Sequence, residues 1–333
     1  MKDSSQYTDI SASKGSAKKP FLHWSTIKEA GFLGGMRWML KAYRLGGQKL
    51  FKPLLVPVIA YFYLSNRSAR TASKEYFSTL KTFSPKTYRQ LGYCHILPLK
   101  HLWSFGVVLL DKLAVWMGHI TLADVTLHNS QHIETLLQQK RGAILLISHL
   151  GNFEICRALN KRHNNMKLTV LVHTKHAPKF NELLHQYDKV DNSNLELLQV
   201  TEINTATAMQ LSERIEQGGF IAIAGDRIAV DNPQSSNFID FLGRPARFPR
   251  GPFILAIILK APIISLQCIH LKGRYHIYFD RISSAMNNTR KNREQLIQQL
   301  SEDFVALLQH YCLLAPLQWF NFYHFWSQHE KQQ

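Results

Sequence analysis

The chain has 333 residues, of which 45% are hydrophobic and 19% are charged. This proportion of apolar side chains is enough for a large buried core, so the composition excludes a wholly disordered protein. The four cysteines are far apart and form no CxxC pair. Their spacing disfavours both a disulfide framework and a cysteine-rich zinc site, and it is typical of a protein from a reducing compartment.

The charge balance is strongly basic. Forty Lys and Arg residues against 23 Asp and Glu residues give a formal net charge of +17. Such a balance indicates a polyanionic partner, which would be nucleic acid, an anionic membrane surface or an acidic carrier protein. Aromatic residues make up 11% of the chain and include six tryptophans, which favours the membrane interface. The sequence shows no helix-turn-helix, zinc-finger or RNA-binding motif, and we therefore expect no nucleic-acid partner.

The first third of the chain is predicted to be helical after a polar start. Residues 1–20 lack the apolar core of a signal peptide, so we expect a flexible tail there. Residues 21–120 repeat apolar side chains at helical spacing, with basic residues on the other side, which predicts a helical, membrane-associating region. The longest apolar run, Leu54–Leu64, contains Pro57 and is shorter than the roughly 20 residues that span a bilayer. The segment Phe51–Leu64 is either an interfacial membrane segment or a buried core helix.

Residues 121–326 alternate short apolar runs with helical patterns. Four runs have the length and the bounds of buried strands, namely Gly142–Ser148, Leu168–His173, Leu195–Val200 and Phe220–Ala224. Pro262–His270 and Arg274–Phe279 predict a hairpin that turns at Lys272 and Gly273. Repeated strand–helix units predict an α/β domain whose mixed, largely parallel central sheet is flanked by helices.

The segment SHLGNFE, residues 148–154, follows the first strong strand. His149 stands at the carboxyl end of that strand, Gly151 and Asn152 form the turn, and Glu154 lies in the first turn of the next helix. In open α/β sheets this edge is where ligands bind. The placement favours a functional histidine over a purely structural one at a strand end.

These residue types suit acyl transfer. A hydroxyl is a poor nucleophile until a base takes its proton, and histidine has the pKa for that task. A carboxylate at the other ring nitrogen would fix the tautomer and stabilise the imidazolium, and we expect Glu154 in this role. We also expect free backbone N–H groups at the start of the helix to face developing negative charge. The chain has no G-x-S-x-G motif, so the hydroxyl would attack a thioester directly.

Asp226 and Arg227 follow the strand FIAIA and form a second polar cluster. One interpretation is that they bind an anionic head group or help to align His149. The alternative is a capped turn with an ion pair. The sequence HTKH at 173–176 has no companion cluster, so we expect no metal site.

Three arginines recur every third residue in FLGRPARFPRG, residues 241–251. Arg244, Arg247 and Arg250 stand in a stretch rich in Gly and Pro, which predicts a loop. Such a loop either cradles phosphate groups or is a solvated basic loop.

In their order along the chain, these motifs resemble the lauroyl and myristoyl acyltransferases of bacterial lipid A biosynthesis, distant relatives of the glycerolipid acyltransferases. SHLGNFE resembles that family's His-x-Gly-Asn-aromatic-Glu signature, and GDR resembles its Asp-containing turn. FLGRPARFPRGPFILAIILKAPIIS resembles its aromatic-Gly-x-Pro-Ala loop with the helix and strand that follow. PLQWFNFYHFW, Pro316–Trp326, resembles its closing aromatic segment, and the likeness covers residues 22–326.

Two features depart from the family pattern. Lipid A members usually start with a clear membrane-spanning helix, which this sequence does not show. They usually carry Arg after the second strand, where this chain offers Lys175. The chain therefore most closely resembles the offshoot without a full transmembrane anchor.

The resemblance implies an O-acyltransferase with His149, Glu154 and Asp226 as catalytic residues. It implies an acyl–acyl-carrier-protein donor, no cofactor and a membrane glycolipid acceptor. The implied place of work is the cytoplasmic face of the inner membrane, with a peripheral or monotopic attachment. We expect substrate contacts from Asn152, Lys175, Arg227, Arg244, Arg247 and Arg250.

Three other functions are weighed against this one. A lysophospholipid acyltransferase would use the same base but prefer acyl-CoA. A glycosyltransferase would place Asp226 or Asp231 near a metal-bound nucleotide sugar, but the sequence has no tight DxD motif. A non-enzymatic basic protein that binds membranes or nucleic acid would leave the strand–His–turn–Glu arrangement unexplained.

Overall fold

The computed structural model describes residues 53–92, 94–116, 118–156, 166–172, 195–199, 205–228, 235–283 and 292–326. The predicted tail at 1–20, the first part of the predicted helical region and Lys175 lie outside these ranges.

Helices make up the described chain before residue 117. They are α1 (residues 53–65), α2 (Arg67–Phe83), α3 (Pro85–Gln90) and α4 (Leu97–Trp116). Asn66 begins α2, because its side chain accepts a hydrogen bond of 3.0 Å from the N–H of Ala69. The buried residues of α2 recur at helical spacing and include Ala72, Tyr76 and Leu80. Among the helices of the described ranges, none is long and apolar enough to cross a bilayer.

Helix α1 has two different apolar faces. Leu55 and Ile59 are 5% and 6% exposed and pack in the core. Val56, Tyr61 and Leu64 are 55%, 66% and 75% exposed. One face of the described part of the segment is therefore core, and the other is an open apolar surface.

Nine strands form a seven-stranded sheet and a separate hairpin in the part of the chain that the structure describes. The strands are β1 (Val125–His128), β2 (Ile144–Ile147), β3 (Leu168–Val172), β4 (Leu195–Gln199), β5 (Phe220–Ala224), β6 (Ser236–Phe241), β7 (Arg244–Pro249), β8 (Ile263–Leu271) and β9 (Arg274–Ser283). The order in the large sheet is β1-β9-β8-β2-β5-β3-β4. Every pair in it is parallel except β8–β9. The predicted mixed, largely parallel sheet and its β8–β9 hairpin are confirmed.

Each face of the sheet carries its own hydrophobic core. On β2, Ile144 and Leu146 contribute to one core and Leu145 to the other, as the two-residue period of a strand requires. Helices α2, α6 (Thr205–Glu216), α7 (Gly251–Ile258) and α8 (Arg293–Leu314) cover the first face, while α1, most of α4 and α5 (Gln131–Gln138) cover the second. The helices before residue 120 therefore share both cores with the sheet.

The arginine-rich segment is a strand and not the predicted loop. Strands β6 and β7 pair antiparallel, with Phe238 opposite Arg247, and turn at Leu242 and Gly243. The Pro and Gly residues of the segment led to the wrong prediction, because these residues are typical of loops. Alternate residues such as Ala246 and Phe248 are buried, so the segment follows a strand period that the prolines conceal.

After α8 the chain crosses the carboxyl edge of the large sheet. We call residues 316–326 the C-terminal strap. The N–H of Gly151 donates to Gln318 O and the N–H of Phe320 donates to His149 O, both at 2.8 Å. These two bonds fasten the strap to the residues that leave β2.

The residues that follow β2 lie in close contact with the backbone of β8. Gly151 has a φ of +69°, and a Cβ atom there would lie 1.8 Å from the carbonyl oxygen of Cys268. The next N–H, that of Asn152, donates to the same oxygen at 2.8 Å. Only glycine permits this approach, which fixes where the chain turns after β2.

We expect Gly151→Ala to lower the free energy of unfolding by several kcal/mol, because the backbone of the corner has to move away from β8. Gly273 is the matched control: its φ is +83° and nothing lies within 4 Å of its added Cβ. Gly273→Ala should therefore cost only about 1–2 kcal/mol, the cost of the left-handed backbone. Chemical denaturation of both variants measures the difference, and equal losses would contradict the close contact at Gly151.

Candidate active site

Two parallel strands bring the candidate residues together. β2 and β5 are neighbours with Ile147 opposite Ala224. His149 and Asp226 each stand two residues beyond these positions, so they meet at the carboxyl edge of the sheet. The sequence placed each residue at a strand end, and the register of the two strands makes them neighbours.

Asp226 holds both the ring and the backbone of His149. Oδ1 of Asp226 lies 2.8 Å from Nδ1 of the ring, and Oδ2 accepts a hydrogen bond of 2.8 Å from the backbone N–H. Asp226 is fully buried, whereas the His149 side chain is 33% exposed. Since an ionised carboxylate only accepts, Nδ1 carries the hydrogen and Nε2 has a free lone pair. Within the described chain no residue hydrogen-bonds to Nε2, so this nitrogen can take a proton from a bound molecule.

The C-terminal strap supplies two more donors to the same carboxylate. Nε1 of Trp319 and Nδ2 of Asn321 each lie 3.2 Å from Oδ2 of Asp226. Sequence reasoning missed both residues as site residues, although the resemblance had marked the segment Pro316–Trp326. The carboxylate thus has donors from two separate segments of the chain.

The electrostatic environment keeps the ring neutral and the carboxylate ionised. Burial lowers the pKa of the His149 imidazole below its ordinary value of 6.5, and the Arg227 guanidinium lowers it further, against the opposing effect of Asp226. Burial alone would raise the pKa of Asp226, but His149, its hydrogen bonds and Arg227 outweigh burial and lower this pKa to about 2. At neutral pH the pair is therefore a neutral base backed by a negative charge.

Arg227 is bound to the strap. Its Nε donates to Oδ1 of Asn321 at 2.9 Å, and its Nη2 donates to Phe320 O at 3.1 Å. Its guanidinium lies 5.8 Å from the centroid of the Tyr323 ring. These contacts tie Arg227 to Asn321, one of the two strap donors to Asp226.

Glu154 is not the carboxylate that holds the ring, and this expectation is corrected. Oε1 of Glu154 lies 2.9 Å from Nζ of Lys112 on α4, in a partly exposed ion pair. A short 3₁₀ turn, Phe153–Ile155, carries Glu154 away from the strand end. The carboxylate in contact with the ring of His149 is that of Asp226.

Asn152 lies inside the corner. The residue is 3% exposed, and its Nδ2 is 3.4 Å from the carbonyl oxygen of Val108 on α4. The backbone N–H groups of Gly151 and Asn152 are bonded to Gln318 O and Cys268 O. The expectation of free N–H groups is therefore wrong for these two, whose bonds hold the corner in place.

The three arginines of the β6–β7 segment have partners within the protein. Arg244 donates to Oε1 of Glu75 at 3.4 Å and to Oγ1 of Thr79 at 3.1 Å. Arg247 lies 4.3 Å from the centroid of the Phe238 ring, and Arg250 pairs with Glu294. The contacts of Arg244 and Arg250 join the β6–β7 segment to α2 and α8, while that of Arg247 joins its two strands. In the described ranges, no three His, Cys, Asp or Glu side chains come together as metal ligands.

Comparison with known proteins adds an independent observation. A model of the family described as bacterial lipid A biosynthesis acyltransferase matches residues 100–327. Two curated relatives are phosphatidylinositol mannoside acyltransferases of Mycobacterium tuberculosis, from strains ATCC 25618 / H37Rv and CDC 1551 / Oshkosh. They are 25% identical to this chain over 138 and 156 residues, which is 41% and 46% of this chain. These matches cover 42% and 47% of the relatives, so the chain spans less than half the length of the curated relatives it matches.

The family match includes every element of the site. Residues 100–327 contain the β2 corner with His149, the β5 end with Asp226 and the C-terminal strap. The match extends over well more than half of the chain. The chain therefore belongs to the bacterial lipid A biosynthesis acyltransferase family.

Proposed function

We propose that the protein is an O-acyltransferase that moves a fatty acyl chain from an acyl-carrier-protein thioester to a hydroxyl of a membrane glycolipid. One observation carries the proposal: His149 has Nδ1 fixed on a buried carboxylate, while part of its ring stays exposed. Family membership supports acyl transfer. The names of the two relatives support a glycolipid as acceptor.

The proposed reaction needs no covalent acyl-enzyme. Nε2 of His149 takes the proton of the acceptor hydroxyl, and the oxygen attacks the thioester carbonyl carbon. The tetrahedral oxyanion collapses, the C–S bond breaks, and the thiolate takes the proton back from the imidazolium. The products are an ester and a free carrier thiol, with no change of oxidation state.

Asp226 has the second role in this mechanism. Its carboxylate keeps Nδ1 protonated, so that Nε2 is the nitrogen available to the hydroxyl. It also stabilises the imidazolium that forms when the proton arrives. Glu154 acts further away, and we propose that its ion pair with Lys112 positions the corner.

We propose that the enzyme works as a peripheral protein at the cytoplasmic face of the inner membrane. The exposed face of α1, with Val56, Tyr61 and Leu64, is apolar and is followed by the exposed Arg67. Apolar and aromatic side chains beside cations are typical of a segment that lies in the headgroup layer of an anionic bilayer.

The first prediction compares the three candidate catalytic residues. His149→Ala should abolish transfer, because no other group takes the proton. Asp226→Asn should reduce kcat by about 10²–10⁴-fold, because the ring loses its fixed tautomer and its charge partner. Glu154→Gln should lose much less, because its carboxylate bonds Lys112 and not the ring.

Transfer of a labelled acyl group from lauroyl-acyl-carrier protein to a glucosamine-based glycolipid measures these effects. Circular dichroism of each purified variant is the control for folding. Near-normal turnover by a folded His149→Ala protein would refute the mechanism, and a larger loss in Glu154→Gln than in Asp226→Asn would refute the assignment of Asp226.

The second prediction concerns pH. Only the neutral ring accepts a proton, and burial together with Arg227 holds the pKa of His149 below 6.5. The acid limb of kcat/KM should therefore lie below pH 6.5. Activity should be lost as the pH falls through the pKa of His149, because the ring then becomes protonated. Arg227→Gln removes a positive charge, so the pKa should rise and the acid limb should move to higher pH.

Arg214 offers the matched control, because its guanidinium bonds Thr169 and Glu196 on the sheet. Arg214→Gln should leave the acid limb where it is in the unchanged protein. An acid limb that stays in place in Arg227→Gln would show that His149 is not the titrating base.

The third prediction concerns the donor. An acidic carrier protein docks through a large charged surface, so kcat/KM for the carrier thioester should fall with salt more steeply than kcat/KM for acyl-CoA. The exposed Arg67, Lys74 and Lys81 recur every seven residues on α2 and so form one basic face. Lys74→Glu with Lys81→Glu should raise KM for the carrier thioester with little change in kcat.

Lys167→Glu is the control for this charge reversal. Lys167 is exposed and precedes β3, so it lies at the opposite edge of the sheet from His149. Its reversal should leave KM unchanged. Equal use of acyl-CoA and of the carrier thioester across the same salt range would overturn the proposed donor and favour the lysophospholipid acyltransferase alternative.

A further inference from the structure

His101 is a buried titratable residue that the mechanism above does not use. It lies in α4 and is 0% exposed. Four aromatic rings surround it, those of Tyr76 and Phe77 from α2 and those of Phe320 and Phe322 from the C-terminal strap, with centroids 4.6 to 5.9 Å away. A histidine in such a setting needs a partner for each ring nitrogen, and the structure supplies both.

The hydrogen bonds of His101 determine its tautomer. Nε2 lies 2.9 Å from the carbonyl oxygen of Trp319, and Nδ1 lies 3.0 Å from Oγ of Ser73. A carbonyl oxygen only accepts, so Nε2 carries the hydrogen and Nδ1 accepts from the Ser73 hydroxyl. Burial lowers the pKa of this ring to about 4, against the opposing bond to Trp319, and the ring is therefore neutral at physiological pH.

The bond to Trp319 lies between the two backbone contacts that fasten the strap. Gln318 and Phe320 are the strap residues whose backbone groups bond the β2 exit. The carbonyl of Trp319 lies between them in the chain and is bonded to His101 on α4. The indole of Trp319 reaches Asp226, as does the amide of Asn321 two residues later. A rotation of the strap about its axis would break the His101 bond and turn both donors away from Asp226 together.

We propose that His101 is a positioning residue that, through the Trp319 carbonyl, keeps the donors of the strap on Asp226 and so holds Asp226 against His149. It touches no reacting atom. Its effect passes from α4 to the strap and from the strap to the buried carboxylate. The part of this proposal that concerns turnover rests on the proposed function, while the effect on the His149–Asp226 pair does not.

Loss of the His101 bond has a definite electrostatic result. An Asp226 with fewer donors has a less compensated negative charge, which attracts a proton to His149 more strongly. A displaced strap also admits water to the ring and reduces the burial that now lowers its pKa. Both changes favour the imidazolium, so the pKa of His149 should rise.

NMR titration of protein labelled with ¹³C-histidine measures this pKa without any substrate. The His149 signal is identified by its absence from the spectrum of His149→Gln. In His101→Phe, which keeps an aromatic ring and removes the donor, the pKa of His149 should rise by about one unit, which corresponds to about 1.4 kcal/mol. In His101→Gln, which keeps an N–H donor, it should stay close to the unchanged protein.

His132→Phe is the matched control. His132 also bonds a backbone carbonyl, that of Phe279 at 2.9 Å, but on β9. The His132→Phe protein should be less stable than the unchanged protein, but the pKa of its His149 should be the same. A His149 pKa that does not change in His101→Phe, or that changes equally in His132→Phe, overturns the proposal.

Ser73→Ala decides the question if His101→Phe does not fold. It removes the hydroxyl that donates to Nδ1 of His101, so that the Trp319 carbonyl alone holds the ring, and it leaves the aromatic packing in place. The pKa of His149 should rise by less than in His101→Phe, and no rise at all overturns the proposal. If the pKa shifts as expected while even the unchanged protein transfers no acyl group, the positioning role stands and the proposed function fails.

Discussion

The structure depends on one buried negative charge. A carboxylate taken out of water costs several kcal/mol unless donors replace its hydration. Asp226 receives four hydrogen bonds, two from His149 and two from the C-terminal strap. The end of β5, the exit of β2 and the strap therefore have to meet at Asp226. Other contacts nearby hold these three segments together. The close approach of Gly151 to β8 is one of them, and the bonds from Arg227 to the strap are another.

The strand pattern made this meeting point largely predictable. Each run of apolar residues bounded by Gly or polar residues formed a strand. In the middle of a parallel sheet such a run bonds its backbone groups to neighbouring strands and buries its side chains on both faces. His149 and Asp226 were recognised because each follows a strand of this type. Parallel neighbours place their carboxyl ends at one edge, so a sequence that reveals the strands also reveals which polar residues share that edge.

The pairing of carboxylates was not predictable from spacing. Glu154 is five residues from His149 and Asp226 is 77 residues away, yet the distant carboxylate bonds the ring. The reason is local geometry: a 3₁₀ turn and the cation of Lys112 direct Glu154 elsewhere. Strand β7 was missed for a related reason: its prolines are typical of a loop, whereas the alternation of its buried residues is that of a strand. The strap residues Trp319 and Asn321 carry no signal of chemistry at all, and only the likeness of the whole segment pointed to them.

The strap also has a consequence for how the site comes into being. The bonds that complete the carboxylate join residues 93 and 95 positions apart, and the bond that orients the strap joins residues 218 positions apart. Closing such long loops costs chain entropy that is recovered only when the final contacts form, and contacts between distant residues form slowly. A chain that already has its sheet but not its docked strap therefore has an Asp226 still open to water and an imidazole that nothing holds. In this architecture the surroundings of Asp226 are complete only when the strap is docked, so we expect regain of activity to report on completed folding more strictly than regain of secondary structure does.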